Sequence, residues 1–285
     1  MSPPWRSSTA GELFATVVAD HVRRIEQRVP AALADEPDAV HRLRTAVRKL
    51  RTVLSVDRPV FGKAPANALR GRLEVLGDLL GAVRDLEVRI ADVDAVGADA
   101  RVSRQARTRL VDDLTARHDA AHRRLVEWAN GPEMADLTAD LVRWVADPPQ
   151  GPKADQPARK VARKRLDKAV GKALRAAEEV DLDRLREAPA DELEELSATA
   201  HELRKAGRRV SHAARSVTRQ PTRVLGRAAR ELGAAGKLVQ SSLGDHRDAL
   251  LLSAQVTAFA DTVAADGGDR APYDRLARAA ARRGL

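Results

Sequence analysis

The chain has 285 residues, a net charge of +9 and no cysteine, which excludes disulfides, thiolate metal sites and cysteine nucleophiles. Hydrophobic residues make up 44%, too many for a chain disordered by composition, and aromatic residues only 2%, which disfavours a β-rich fold. Of the basic residues 41 are Arg and nine are Lys, and arginine pairs bidentately with phosphate. The positive charge therefore indicates a polyanionic partner without identifying it.

Helical periodicity predicts a series of helices separated by prolines, with almost no strand-like alternation. The capping-box sequence from Thr9 to Glu12 opens a first helix that reaches about Val29. Asp38 is expected to cap a second helix that ends near Asp57. Further helices are predicted over residues 65–79, 83–96, 101–129, 133–146, 158–180, 190–218, 222–242, 246–266 and 272–283. The predicted fold class is all-α.

A proline-rich segment divides the predicted helices into two halves. Residues 147–157 contain four prolines and one glycine and are the best candidate for a linker. The chain then consists of an N-terminal tail (1–11), a first half (12–146), the linker and a second half (158–285). Residues 12–147 carry 22 basic and 22 acidic side chains, so an anion site in the first half must come from local clustering. Residues in the second half carry 26 basic and 18 acidic side chains.

The sequence contains neither a recognisable leader nor a membrane-spanning segment. Its first residues lack the apolar stretch of a secretory signal peptide. No stretch approaches the roughly 18 uncharged apolar residues that a membrane helix needs. We therefore expect a soluble, cytoplasmic protein.

Two short motifs recur in both halves in the same order, which indicates an internal repeat. The first is VHRLRTAVRKLR, from Val40, and AHELRKAGRRVS, from Ala200, which share the pattern H-x-L-R-x3-R-[KR] at an offset of 160 residues. The second is LGAVRD, from Leu80, and LGDHRD, from Leu243, at an offset of 163 residues. Chance is a poor explanation for two motifs with nearly the same offset.

On a helix, the first motif places its cations in one narrow row beside an apolar stripe. Successive residues turn by about 100°, so His41, Arg44, Arg48 and Arg51 fall within about 80°. The second copy places these residues in the same arc: His201, Arg204, Arg208, Ser211 and Arg215. Neither row contains an acidic residue, although like charges at this spacing destabilise a helix. The rows suit an extended anion; a solvated face, or pairing with acids of a neighbouring helix, is the alternative.

The second motif has two interpretations. Gly81 and Gly244 are expected to end or bend a helix, which would bring Arg84 and Arg247 to the cationic surface near a helix N-terminus. The alternative is a tight helix–helix corner without ligand contact. Asp85, the last residue of the first copy, is expected, like its counterpart, to hold an arginine of a neighbouring helix.

With these motifs the sequence resembles the CHAD domain family, named for a conserved histidine and α-helices, over roughly residues 12–285. The resemblance rests on VHRLRTAVRKLR with LGAVRDLEV, and on HELRKAGRRV with LGDHRDAL. It implies two pseudo-symmetric four-helix bundles packed around a basic groove or pore. It also implies non-catalytic binding of inorganic polyphosphate without a cofactor and, for some members, association with polyhydroxyalkanoate granules. Because the E-x-E-x-K signature of a fused triphosphate tunnel domain is missing, the chain is similar to a stand-alone member.

The resemblance assigns polyphosphate binding to residues of the two repeated helices: His41, Arg44, Arg48, Lys49, Arg51, His201, Arg204, Lys205, Arg208 and Arg209. The same surface is expected to include Arg84, Arg215 and Arg247. A second set of candidate binding residues lies on the opening helices of the two halves: Arg23, Arg24, Arg165, Lys168 and Lys172. For this set, an exposed charge that only keeps the protein in solution is an equally good interpretation.

Three other functions are weighed against polyphosphate binding. A nucleic-acid binder fits the basic rows, although few aromatic residues are available to stack on bases and no helix-turn-helix or zinc finger is found. A structural protein on a granule surface is compatible with polyphosphate binding. An enzyme is disfavoured, because His-Arg-Asp at 246–248 lacks the other kinase motifs and no P-loop or nucleophile elbow occurs.

His118 and His122 are four residues apart but lack the H-E-x-x-H pattern, so we expect no metal ion.

Overall fold

The computed structural model of the chain describes residues 8–181, 184, 193–219 and 222–283, without the side chains of residues 193–197, 243–248, 250 and 283. The helices within these ranges are α1 (Ala10–Glu26), α2 (Val29–Leu33), α3 (Ala39–Val56), α4 (Arg58–Phe61), α5 (Lys63–Asp99), α6 (Arg104–Ala129), α7 (Pro132–Ala146), α8 (Ala158–Glu178), α9 (Leu193–Thr218), α10 (Arg227–Ala265) and α11 (Ala271–Arg283). The same ranges contain no β-strand, so the all-α prediction is confirmed. None of these helices combines the length and the hydrophobicity of a bilayer-spanning segment.

Two helices begin where the sequence predicts, but only one has the predicted cap. The Thr9 side chain accepts a hydrogen bond from the Glu12 N–H, and the Glu12 carboxylate accepts one from the Thr9 N–H at 2.9 Å. Asp38 precedes α3, yet its side chain makes no capping hydrogen bond and its backbone is left-handed, with φ of 60°. Its carboxylate instead lies 3.6 Å from Arg42. The predicted cap at Asp38 is therefore wrong.

The helices α5 and α10 run without a break through Gly81 and Gly244. The prediction that these glycines end a helix is therefore wrong, and whether they bend one stays a prediction. A glycine inside a helix costs about 1 kcal/mol relative to alanine, and burial of the apolar stripe outweighs that cost. In α5 the stripe continues on both sides of Gly81, where Leu80 and Val83 are fully buried.

The described residues form two hydrophobic core clusters, and each combines residues from both halves of the sequence. The larger cluster joins α1, α3 and the first part of α5 to α8 and α9, with Leu50 and Leu166 among its members. The smaller cluster joins the second part of α5 and the first part of α6 to α10 and α11, with Leu110 and Val256 among its members. Because each cluster contains residues of both halves, the two halves share their hydrophobic core.

Residues 147–157 are held in place by backbone hydrogen bonds, in contrast to a free linker. The Gly151 N–H donates to the Val60 carbonyl at 2.6 Å, and the Ala10 N–H donates to the Gln156 carbonyl at 2.8 Å. The segment therefore joins the start of α1 to the region around α4.

The helices α9 and α10 pack backbone against backbone. A Cβ atom on Gly236 would lie 2.6 Å from the carbonyl oxygen of Gly207, and one on Gly207 would lie 2.8 Å from that of Gly236. Ser211 is buried, with 2% exposure, in the same contact. The sequence placed Ser211 among the cations of its row, but the close approach of α10 encloses it instead.

Candidate anion-binding site

The helices α3 and α9 bring the two cationic rows next to each other. Burial, followed by the charges of Arg44 and Arg204, lowers the pKa of Arg48. Burial, followed by the charges of Arg48 and Arg204, lowers the pKa of Arg208 to about 10. Guanidinium groups from α3 and α9 therefore share one partly buried region, where each disfavours the charge of the others.

A first cleft, of about 260 Å³, lies between α3, α5 and α9. The basic and histidine side chains that line this cleft are His41, Arg44, Arg48, Arg84, Arg89 and Arg204. Two carboxylates, Asp85 and Asp92, also line it, so among the described residues five arginines face two acids. The first cleft thus contains four of the residues that the sequence placed on the first repeat and one from the second.

Two glycines of α5 make room for two arginines of α3. A Cβ atom on Gly81 would lie 3.4 Å from Nη2 of Arg44, and one on Gly77 would lie 3.0 Å from Nη1 of Arg51. Arg44 donates to Asp85 at 3.0 Å, and Arg51 pairs with a glutamate one turn before Gly77. The predicted role of Asp85 is confirmed, and for these two arginines the alternative of pairing with a neighbouring helix also holds.

Arg48 and Arg208 differ from these paired arginines. In the part of the chain that the structure describes, neither has a carboxylate oxygen within 4 Å. The buried Nε of Arg48 has no hydrogen-bond partner there. A partly buried guanidinium without an acid is costly, because desolvation is not offset by an opposite charge. This arrangement is the one expected if the missing anion comes from a ligand.

A second cleft, of about 100 Å³, lies between α1, α3 and α9. Lys49, the residue after Arg48, lines it. The second cleft contains three residues that the sequence predicted: Arg24, Lys49 and Arg215. It also contains three that were not among the predicted binding residues: His21, His212 and Arg219. Helical spacing was the available signal, since His21 precedes Arg24 by three residues and His212 follows Arg208 by four.

Burial sets the charge of the groups in the second cleft. It lowers the pKa of Lys49 to about 8, with smaller effects from Arg215 and Arg24. It lowers the pKa of His212 to about 3 and that of His21 to about 4. Both imidazoles are therefore neutral at pH 7, whereas Lys49 loses its proton just above neutral pH.

Most of the other predicted residues line neither cleft. Lys205 pairs with Glu202, one turn earlier on α9, at 2.7 Å. The hydrogen bond from Lys205, with a smaller contribution from the charge of His201, lowers the pKa of Glu202. Arg209 is exposed, and its charge acts on Arg208. Three exposed residues lie on α1 and α8: Arg23, Lys168 and Lys172. The side chain of Arg247 lies outside the described residues.

Arg165 is not part of an exposed cationic face. It forms an ion pair with the buried carboxylate of Asp57 and donates from Nε to the Val56 carbonyl at 3.1 Å. Its guanidinium carbon lies 4.4 Å from the centre of the Phe14 ring. Burial lowers its pKa to about 9. The sequence grouped it with Lys168 and Lys172, but helix α8 turns it inward, toward α1 and the end of α3.

Comparison with known proteins supports the fold. A model of the CHAD domain family matches residues 16–257. The crystal structure of the CHAD domain from the plant Ricinus communis is similar, with a TM-score of 0.75 and 21% identity, over 96% of this chain and 87% of that one. PptA from Streptomyces chartreusis is similar with a TM-score of 0.63 and 18% identity, over 97% of this chain and 99% of that one.

A relative with higher sequence identity is an uncharacterized protein of Mycobacterium tuberculosis strain H37Rv. It is 26% identical over 241 residues, which are 82% of this chain and 43% of that protein. Less than half of that longer protein therefore has a counterpart in this chain.

Proposed function

Because the chain belongs to the CHAD domain family, we propose that it binds inorganic polyphosphate, non-covalently and without catalysis, along the first and second clefts. Polyphosphate is the ligand that the family resemblance implies. It carries a negative charge on each phosphate, at regular spacing, and so matches cations that recur along a helix. Each bound arginine or lysine replaces counterions of the polyanion, and their release favours binding.

One observation carries the proposal: Arg48 and Arg208 lie partly buried among other arginines without an acid in the described region. Such a cluster lowers the stability of the free protein, so the fold alone gives no reason for it. A bound polyanion supplies the opposite charge. Charge-assisted hydrogen bonds from guanidinium to phosphate are among the stronger polar contacts in proteins.

The two clefts together favour a long anion over a single phosphate. Arg48 lines the first cleft and the adjacent Lys49 lines the second, so consecutive residues of α3 contribute a cation to each cleft. Three helical turns of the row span about 16 Å. A chain of several phosphates reaches cations in both clefts, whereas orthophosphate reaches those of only one.

Titration with polyphosphates of graded length, in competition with duplex DNA, tests the proposal. We expect affinity to rise with chain length until both clefts are filled, and to fall steeply with salt. We also expect DNA to compete weakly at the same phosphate concentration. Equal binding of DNA, or affinity that is independent of polyphosphate length, contradicts the proposal and favours a general backbone binder.

A further inference from the structure

A group of metal-ligating side chains lies where the turn after α2 meets α5 and α6. A carboxylate oxygen of Asp35, one of Glu87 and a ring nitrogen of His118 all lie within 4.8 Å of one another. The three residues come from three separate elements. Their proximity is therefore a product of the fold, and no short sequence motif reveals it.

The distance between the Asp35 and His118 atoms is close to the one that a shared metal ion requires. Nε2 of His118 lies 3.8 Å from Oδ1 of Asp35, which is beyond hydrogen-bond distance. An ion bound at 2.0–2.2 Å from nitrogen and oxygen keeps two tetrahedral ligands ~3.3 Å apart. A shift of about half an ångström closes that gap. The Asp35 side chain, 42% exposed, is free to make it, while the His118 side chain, 12% exposed, is held by its surroundings.

His122 fixes the orientation of the α6 face that carries His118. The two imidazole rings are nearly parallel, with centroids 6.2 Å apart. Nε2 of His122 lies 3.0 Å from the carbonyl oxygen of Ala32, and donates to it in the tautomer protonated there. This bond ties α6 to α2, directly before the turn that carries Asp35. Supporting contacts of this kind orient metal ligands.

We propose that Asp35, Glu87 and His118 bind a divalent transition-metal ion of the Zn²⁺ type. An imidazole nitrogen is a preferred ligand for such ions, and two carboxylates balance the double charge. Three protein ligands leave the fourth position to water or to an oxygen of an anion.

Glu87 connects this metal site to the first cleft. Its carboxylate accepts a hydrogen bond from Arg84 at 2.7 Å, and Arg84 lines the first cleft. A bound metal ion competes with Arg84 for Glu87, and so leaves the guanidinium available to a polyanion. This connection rests on the proposed function, whereas the metal site does not.

Isothermal titration of Zn²⁺ alone into the full chain, without a polyhistidine tag and without polyphosphate, tests the site. We expect one saturable site that is at least tenfold weaker in Asp35→Asn and in His118→Ala. Asp35→Asn keeps the fold, because asparagine accepts the left-handed backbone at this position, with φ of 53°. Glu36→Gln, at the exposed neighbouring carboxylate, is the matched control and leaves binding unchanged.

Arg84→Met gives a second readout, because removing the competitor for Glu87 should tighten Zn²⁺ binding. Unchanged binding in Arg84→Met overturns the connection to the first cleft. The metal site is overturned if the unmodified chain shows no saturable binding, or if Asp35→Asn and His118→Ala bind Zn²⁺ as tightly as the unmodified chain. Since polyphosphate is absent from these titrations, either result leaves the proposed function to its own test.

Discussion

Arg44 of α3 donates to Asp85 of α5 at 3.0 Å, over a position on α5 where Gly81 has no side chain. The two residues belong to the two different motifs of the first repeat. The second motif thus positions a cation of the first. In this first copy the glycine leaves space for the guanidinium, and the aspartate one turn later orients it.

The first prediction concerns Gly81→Leu. A side chain at this position meets the Arg44 guanidinium, since even a Cβ atom would lie 3.4 Å from Nη2. We expect Arg44 to leave Asp85 and the affinity for polyphosphate to fall by about tenfold, the loss of one charge-assisted bond. Gly71→Leu, on the same helix with open space around its Cβ, is the control and should keep full affinity. If the two variants bind polyphosphate with equal affinity, Gly81 has no role in the binding site.

The second prediction is that Arg48→Met stabilises the free protein and weakens polyphosphate binding. Methionine removes a desolvated charge that lies beside Arg44 and Arg204, so we expect unfolding to require about 1 kcal/mol more. The loss of a ligand contact should lower affinity by about tenfold. Thermal unfolding and ligand titration of the same sample measure both effects. Arg42→Met, at an exposed position of α3, should change neither by much.

A structural role for Arg48 predicts the opposite pattern. In that case Arg48→Met lowers the melting temperature and leaves affinity intact. Opposite signs of the two effects therefore distinguish a residue kept for binding from one kept for folding.

The third prediction is a loss of affinity above pH 8. Burial lowers the pKa of Lys49 to about 8 in the free protein, and a bound polyanion raises it by favouring the protonated form. Binding therefore takes up a proton above pH 8, so affinity is full below this pH and falls by up to about tenfold per unit above it. Titrations from pH 7 to 9 at constant salt measure this slope. Lys49→Arg should remove it, because arginine stays charged; an identical slope in Lys49→Arg assigns the titration to another group.

The cationic rows could be predicted from the sequence because helical spacing is a local property. It sufficed to place His41, Arg44 and Arg48 on one face, and the role of Asp85 followed from the repeat. The continuity of α5 through Gly81 could not be predicted in this way. A local cost of about 1 kcal/mol is overridden there by burial against helices that are distant in the sequence.

The same limit applies to residues whose role depends on a partner from another helix. Arg165 shares the composition and spacing of the exposed lysines on α8, and only its contact with Asp57 distinguishes it. His21 completes the second cleft because the fold brings residues of α1 and α9 to the walls of the same cleft, an arrangement that periodicity within either helix does not contain. Helical faces were thus predictable, and pairings between faces were not.

The fourth prediction separates Arg165 from the binding site. Arg165→Met leaves the carboxylate of Asp57, which is 1% exposed, buried without its partner, so we expect the free energy of unfolding to fall by about 3–5 kcal/mol. Adding Asp57→Asn should restore part of the loss by removing the uncompensated charge. Lys168→Met, at an exposed position of the same helix, should change stability by less than about 0.5 kcal/mol. Urea denaturation measures the free energy of unfolding of the three variants. Under conditions in which a variant is folded, its affinity for polyphosphate should equal that of the unmodified protein. A stable Arg165→Met protein with weakened binding would return Arg165 to the ligand-binding surface.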